Sequence, residues 1–388
     1  MNLLFIIYWI ALLFSFFVVG AVLGAAFSPP LRKALKEIVR AIGRGDLLLA
    51  RIIYNPVLRP GTHPWQAEAV LNPAAVVLDG RTHLVYRSIG MDGVSRLGYA
   101  SSANGFFFDE QLPYPIYIST NPRGVPGHAR RYSPVMYPSG GSWGGCEDPR
   151  MVVIEGRVYI TFNMFDGWDF IRIAFISIAA EDFISKRFYA LSAPVLLSMP
   201  GQRHKNWTLF PEKINGKFVI LHSISPIVEI AYRDSLDEVG VTEPFIESWE
   251  GARSDIAVRE GYWDNYVRSA GPPPLRTPHG WLLFYHANDR REMHRYKLGA
   301  MLLDLADPTH MLYRSCYPVL EPDQDYENDG KPGIIYACGA TIKQGMLYVY
   351  YGGADRVICA AFAPLDDFLK ALMTNEHAVL ASKPLRTR

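Results

Sequence analysis

Two hydrophobic patterns divide the chain. Residues 3–27, LLFIIYWIALLFSFFVVGAVLGAAF, hold no charged side chain. A run of that length spans a bilayer as a helix, so a transmembrane anchor is expected within residues 1–30. Further on, short apolar runs alternate with polar turns, and the same unit returns five times. It reads AAVVLDGRTHLVYRS at 74–88, MVVIEGRVYITFN at 151–163, EKINGKFVILHS at 212–223, PLRTPHGWLLFYHA at 274–287 and ATIKQGMLYVYYGG at 340–353. Each is an apolar strand, a turn with Gly, and a second strand rich in β-branched or aromatic residues, which predicts a β-hairpin. The turn glycines Gly80, Gly156, Gly216, Gly280 and Gly345 are 76, 60, 64 and 65 residues apart. About four short strands fit each interval. The expected fold is therefore all-β, a five-bladed β-propeller over residues 51–388 preceded by a single N-terminal transmembrane helix.

Between these regions, residues 31–50, LRKALKEIVRAIGRGDLLLA, have the spacing of an amphipathic helix with a basic face, a juxtamembrane helix or linker. Arg32, Lys33, Lys36, Arg40 and Arg44 follow the apolar run and none precedes it. The positive-inside rule then expects a single-pass protein whose main domain faces the cytoplasm. A cleaved signal peptide is the alternative. Cys146, Cys316, Cys338 and Cys359 show no paired spacing, as expected of free buried thiols in a reducing compartment. Hydrophobic residues are 49% of the 388, enough for a substantial core, and the net charge of +1 gives no nucleic-acid footprint. No His or Cys cluster has metal-ligand spacing, and Gly140–Gly145 lacks the Lys-Ser/Thr ending of a nucleotide loop. Neither a metal nor an organic cofactor is expected.

The second strands of the hairpins end in Arg87, Asn163, His222, His286 and Tyr350–Tyr351, with Asp166, Asp289 and Asp355 close behind. In a propeller such ends converge on one mouth of the central channel. Polar residues recurring at that phase would line a pocket there. Directly before the second hairpin stands GGCEDPR, with Glu147 and Asp148 side by side. Pro149 biases Asp148 toward extended backbone. Arg150 is expected to hold one carboxylate in a two-pronged bond, leaving the other to face the pocket with a raised pKa, as a general acid requires.

The chain resembles glycoside hydrolase family 130, the β-mannoside phosphorylases and related mannosidases. The resemblance runs through NPAAVVLDGRTHLVYRS, LGYASSANGFFF, GGCEDPRMVVIEG, KNWTLFPEKINGKFVILHS, GPPPLRTPHGWLLFYHA, YKLGAMLLDLADP, PVLEPDQDYENDG and ACGATIKQGMLYVYYGGAD, in order over residues 52–370. It implies a five-bladed propeller with Asp148 as the general acid, acting directly or through a substrate hydroxyl. It implies that Asn72, Arg87 and Asp355 hold the sugar. For the phosphate of a phosphorylase it implies Lys205 and Asn206, where the family has Arg-Asn, together with Arg268, His286 and Tyr296, while Arg150 is a further basic candidate beside the acid. A second family Arg is replaced by Ser223. A family Lys falls at Val267, or at Arg268 if the alignment slips by one.

The expected reaction is inverting phosphorolysis of a β-mannoside to mannose 1-phosphate, with inorganic phosphate as co-substrate. A hydrolase would need a second carboxylate about 6.5–9.5 Å from the acid. Glu229 and Asp264 are the nearest candidates, each with the look of a surface acid. A β-mannosidase, a nucleotide-sugar-dependent mannosyltransferase of the related propeller family and a non-catalytic sugar-binding propeller are the alternatives.

Overall fold

The computed structural model describes residues 49–119, 131–167, 170–198, 203–224, 227–236, 252–255, 259 and 261–374. Strand β1 (Ala50–Arg51) comes first. Strands β2 (Ala69–Leu78), β3 (Arg81–Ile89) and β4 (Val94–Ser102) form an antiparallel meander, and β5 (Glu110–Gln111) pairs with β4. A second meander holds β6 (Gly144–Ile154), β7 (Arg157–Asp166), β8 (Ile171–Ala179) and β9 (Val195–Leu196). Next come β10 (Thr208–Leu209), β11 (Phe218–Ser223), β12 (Ile227–Arg233) and β13 (Ala252–Asp255). In the following sheet β14 (Tyr266–Ala270) and β15 (Leu275–Thr277) both pair with β16 (Gly280–Asn288), followed by β17 (Lys297–Leu303) and β18 (Met311–Arg314). The last sheet is β19 (Ile335–Lys343), β20 (Met346–Gly353) and β21 (Val357–Pro364), completed by β1 on the edge of β21.

The all-β expectation holds, but five separate blades behind a transmembrane helix do not. The described strands form four sheets, because β4 and β6 pair in parallel at Val94↔Gly144 and Ser95↔Gly145. That bridge fuses the first two meanders into one eight-stranded sheet. It needs glycine: a Cβ on Gly145, at φ +108°, would lie 2.1 Å from the Ser95 carbonyl oxygen.

The predicted hairpins follow from their turns. Asp79-Gly80, Glu155-Gly156, Asn215-Gly216 and Gln344-Gly345 have positive φ at both residues, the type I′ geometry whose twist matches the flanking strands. In the fourth repeat the turn is Pro278-His279, and Gly280 instead starts β16 opposite Thr277.

Core clusters fill the spaces between neighbouring meanders. Val158, Ile160 and Phe162 of β7 pack toward Val85 and Tyr99, while Tyr159 packs on the other face with Trp207 and Ile220. The period-two alternation of one strand thereby serves two layers of core. Phe210, Leu221, Trp281 and Leu283 join the next pair of sheets, and Leu84, Tyr86, Tyr350 and Ile358 join the last to the first.

Helices α1 (Ala180–Ile184) and α2 (Leu365–Thr374) are short. Among the described residues no helix is long and apolar enough to cross a membrane. That finding gives no support to the expected anchor or to the cytoplasm-facing topology built on it. Residues 3–27 and the helix expected from residue 31 fall outside the described residues up to residue 48. By Ala50 the chain is already in a strand.

Candidate active site

Four strands that open a sheet or follow a loop carry a break in register. The breaks lie between Leu71 and Ala74 in β2, Glu147 and Arg150 in β6, Val267 and Ser269 in β14, and Ala337 and Gly339 in β19. A regular strand sends successive side chains to opposite faces, whereas a bulge re-aims them. Proline, which cannot donate to a ladder, fits the first two breaks as Pro73 and Pro149. The residues before them, Asn72 and Asp148, have φ of 49° and 50°. This corrects the extended backbone expected at Asp148: the bulge, which sets Asp148 and Pro149 opposite Phe162 alone, overrides the bias imposed by the proline. Asn and Asp tolerate the left-handed region better than other non-glycine residues, at roughly 1–2 kcal/mol.

The breaks surround a cavity of about 260 Å³. Eight of the ten residues singled out above line it: Asn72, Arg87, Asp148, Lys205, Asn206, Arg268, Tyr296 and Asp355. Arg150 and His286 do not.

Arg87 organises one side. Its Nη1 donates to Asp148 Oδ1 at 3.1 Å, its Nη2 to Glu147 Oε1 at 3.0 Å, and its Nε to Ser95 Oγ at 2.9 Å. The Asn72 amide donates to the same Asp148 oxygen at 2.7 Å. Glu147 is fully buried, and its Oε2 accepts from Lys205 Nζ at 2.9 Å and Ser139 Oγ at 2.8 Å. The carboxylate clamp is therefore Arg87, not Arg150. Beyond the bulge Arg150 lies turned away, and its Nε and Nη2 donate to the Gly271 and Ala270 carbonyls at 2.7 and 3.1 Å. It also donates to the Asp148 carbonyl at 3.1 Å, so it holds the backbone of the acid rather than its side chain.

Burial pushes the Asp148 carboxyl up, but Arg87, Lys205 and the Asn72 bond outweigh it and hold the group below the usual carboxylate range. The raised value expected from the sequence is thereby corrected. In the free protein Asp148 is a carboxylate at neutral pH.

The facing wall carries Arg268, the extra residue of the β14 bulge. Its Nε donates to the Tyr296 hydroxyl at 2.8 Å, and its guanidinium lies 5.0 and 4.8 Å from the ring centres of Tyr266 and Tyr296. His286 is fully buried behind this wall, stacked on Tyr336 at 4.1 Å. Burial and the nearby Arg150 push it down to about 3, so the ring is neutral. Asp355 closes the rim, 3.4 Å from Lys331 Nζ, which also donates to the Pro138 carbonyl at 3.2 Å.

Sequence reasoning missed Ser139, Ser269, Lys331 and Tyr336, all of which line the cavity. One signal for Ser269 was present: the one-residue slip between Val267 and Arg268 is what a bulge leaves in an alignment. Other expected lining residues have different roles. Asn163 accepts from the Asn206 backbone N–H at 2.9 Å, His222 stacks on Trp207, and Tyr351 donates to Glu327. Asp264 is no surface acid. It is fully buried against Arg259 and Arg314, with the Tyr285 hydroxyl donating to it at 2.6 Å.

A buried carboxylate clamped by Arg and Asn, facing a wall of cations and hydroxyls in a polar cavity of an all-β protein, defines a carbohydrate-active enzyme with room for an anionic co-substrate. The chain belongs to glycoside hydrolase family 130, whose model, described as beta-1,4-mannooligosaccharide phosphorylase, matches residues 54–374. A 1,2-beta-oligomannan phosphorylase of Thermoanaerobacter sp. is 35% identical over 82% of this chain and 98% of that protein. A beta-1,2-mannobiose phosphorylase of the same organism is 30% identical over 81% and 96%. The solved beta-1,2-mannobiose phosphorylase of Listeria innocua, in complex with beta-1,2-mannobiose, superposes with a TM-score of 0.63 at 22% identity, over 84% of this chain and 99% of that one. At that identity the likeness speaks to the fold.

Proposed function

We propose that this chain is a phosphorylase of β-mannosides that prefers the β-1,2 linkage. The observation that carries the reading is the composition of the cavity. A single clamped acid, Asp148, shares the cavity with Arg268 and Tyr296, and Lys205 is also in the lining. Glu147, the acid beside it, is committed to Arg87 and Lys205 and is not free to activate water. An anionic nucleophile needs a cationic cradle in place of a base. The β-1,2 preference rests on the relatives that share about a third of the sequence across nearly their whole length.

In this reading Asn72, Arg87 and Asp355 hold the mannosyl unit. Phosphate lies toward Arg268, Tyr296, Lys205 and Asn206, and an oxygen of it attacks the anomeric carbon. The glycosidic C–O bond breaks with inversion, and its oxygen takes the proton delivered by Asp148 directly or through a sugar hydroxyl. The products are mannose 1-phosphate and the shortened saccharide. Arg150 fixes the backbone of the acid, and His286 supports the facing wall.

The test is to incubate the protein with β-1,2- and β-1,4-mannobiose, with and without inorganic phosphate. Phosphate-dependent formation of equal amounts of mannose 1-phosphate and mannose, faster from the β-1,2 isomer, is expected. Two mannoses per disaccharide regardless of phosphate would make the enzyme a hydrolase. Faster reaction of the β-1,4 isomer would overturn the linkage.

A further inference from the structure

The polarity of one hydrogen-bond chain identifies a donor that the motifs do not point to. The Ala337 backbone N–H, which can only donate, lies 2.9 Å from His286 Nε2. That nitrogen must therefore carry the lone pair, and the neutral ring holds its hydrogen on Nδ1. Nδ1 lies 3.3 Å from Ser269 Oγ, so the imidazole donates and the serine oxygen accepts. Ser269 Oγ is in turn 3.5 Å from the Tyr336 hydroxyl. Burial pushes the Tyr336 phenol up, so it keeps its proton. The two hydroxyls hold two hydrogens between them, and their mutual contact uses one. The other is left to face the cavity that both residues line.

The β14 bulge makes this possible. Arg268 and Ser269 are consecutive, yet both line the cavity, which regular alternation would forbid. A fixed cation and an oriented hydroxyl hydrogen stand side by side, suited to an oxyanion.

We propose that the Ser269–Tyr336 hydroxyl pair donates directly to the phosphate co-substrate, and that His286 is a positioning residue acting through Ser269 without touching phosphate. This rests on the phosphorylase reading above. Loss of a hydrogen bond to a charged group weakens binding by about tenfold or more. Ser269→Ala is therefore expected to raise the KM for phosphate about tenfold while the KM for β-1,2-mannobiose stays the same. Tyr336→Phe shifts the same constant. His286→Phe, which keeps a ring against Tyr336, raises it less, and in the double variant with Ser269→Ala it adds nothing further.

Multiplying effects in the double variant would show that His286 binds phosphate itself and would overturn the proposal. A shift confined to the mannobiose KM would assign the hydroxyls to the sugar and do the same. If His286→Phe does not fold, nitrogen NMR of the unsubstituted protein decides: Nδ1 protonated and Nε2 bare is expected, and the opposite tautomer refutes the chain. Calorimetric binding of inorganic phosphate to wild type and Ser269→Ala separates the two readings. Turnover without phosphate dependence defeats the phosphorylase reading, whereas phosphate binding unchanged by Ser269→Ala defeats this one.

Discussion

Asn72 donates its side-chain amide to the Asp148 carboxylate across 2.7 Å, and the two residues occupy the same position in successive hairpins. Each precedes a proline, each has left-handed backbone, and each lies in a two-residue break of the first strand of its hairpin. The repeat thus supplies the acid from one unit and its orienting partner from the unit before.

Asp148→Asn is expected to keep the fold, because Arg87 retains Glu147 and an amide oxygen can still accept from Asn72. Turnover should fall by about 10²–10⁴, the usual weight of a positioned acid. Mannose 1-phosphate release checks this, and a near-native rate would remove Asp148 from the role.

Glu147→Gln leaves Arg87 buried with one fewer counter-charge and removes the ion pair between Glu147 and Lys205. Breaking a buried pair from one side costs about 3–5 kcal/mol. A clear drop in the denaturant midpoint is expected, with loss of activity because Arg87 is no longer fixed. An unchanged midpoint would show that the cations are held by something else.

The pH response has two parts. Asp148 titrates below its ordinary value in the folded protein, so its charge supports the fold fully above about pH 4, and that support is lost as pH falls through the depressed value. For catalysis the ionised acid must gain a proton. Phosphate in the cradle offsets part of the positive field of Lys205, so its binding should draw a proton onto Asp148. Calorimetry near neutral pH in buffers of different ionisation enthalpy should show proton uptake in the wild type that is reduced in Asp148→Asn. Equal uptake in both proteins would place the proton elsewhere.

Arg51→Ala should loosen the edge of the last sheet. Arg51 donates to both oxygens of the buried Glu327, at 2.8 and 3.0 Å, and the loss should again be about 3–5 kcal/mol. Faster hydrogen exchange at the Leu58 amide, which pairs with Ile358 just beyond this strand, is the measurement. Unchanged exchange there would mean that the strand holds without the ion pair.

The hairpins were legible because a turn needing positive φ leaves a local mark: Asp-Gly, Glu-Gly, Asn-Gly and Gln-Gly between apolar runs. Most cavity residues were legible through the motifs around them. What stayed hidden depends on breaks in period that no pattern of apolar residues records. Asp148 and Arg150 are two apart and read as neighbours on one face, but the bulge between them sends one to the cavity and the other to the backbone of β14. His286 sits at a strand end like Arg87, yet its two nitrogens are used by Ala337 and Ser269. The fusion of two meanders at Gly145 depends on a contact with Ser95, fifty residues earlier in the chain. The burial of Asp264 depends on Arg259 and Arg314, which no local pattern links to it.

The pairing of β1 with β21 also sets an order of events during synthesis. Arg51 precedes its partner Glu327 by 276 positions, and Ala50 and Arg51 pair with Phe362 and Ala361. At about 5–20 residues per second, this strand waits roughly 15–60 s for its partners to leave the ribosome. Throughout that interval its backbone groups have no ladder to join. A nascent chain stalled before residue 357 would therefore display an unfinished sheet edge, a natural point for a chaperone to act.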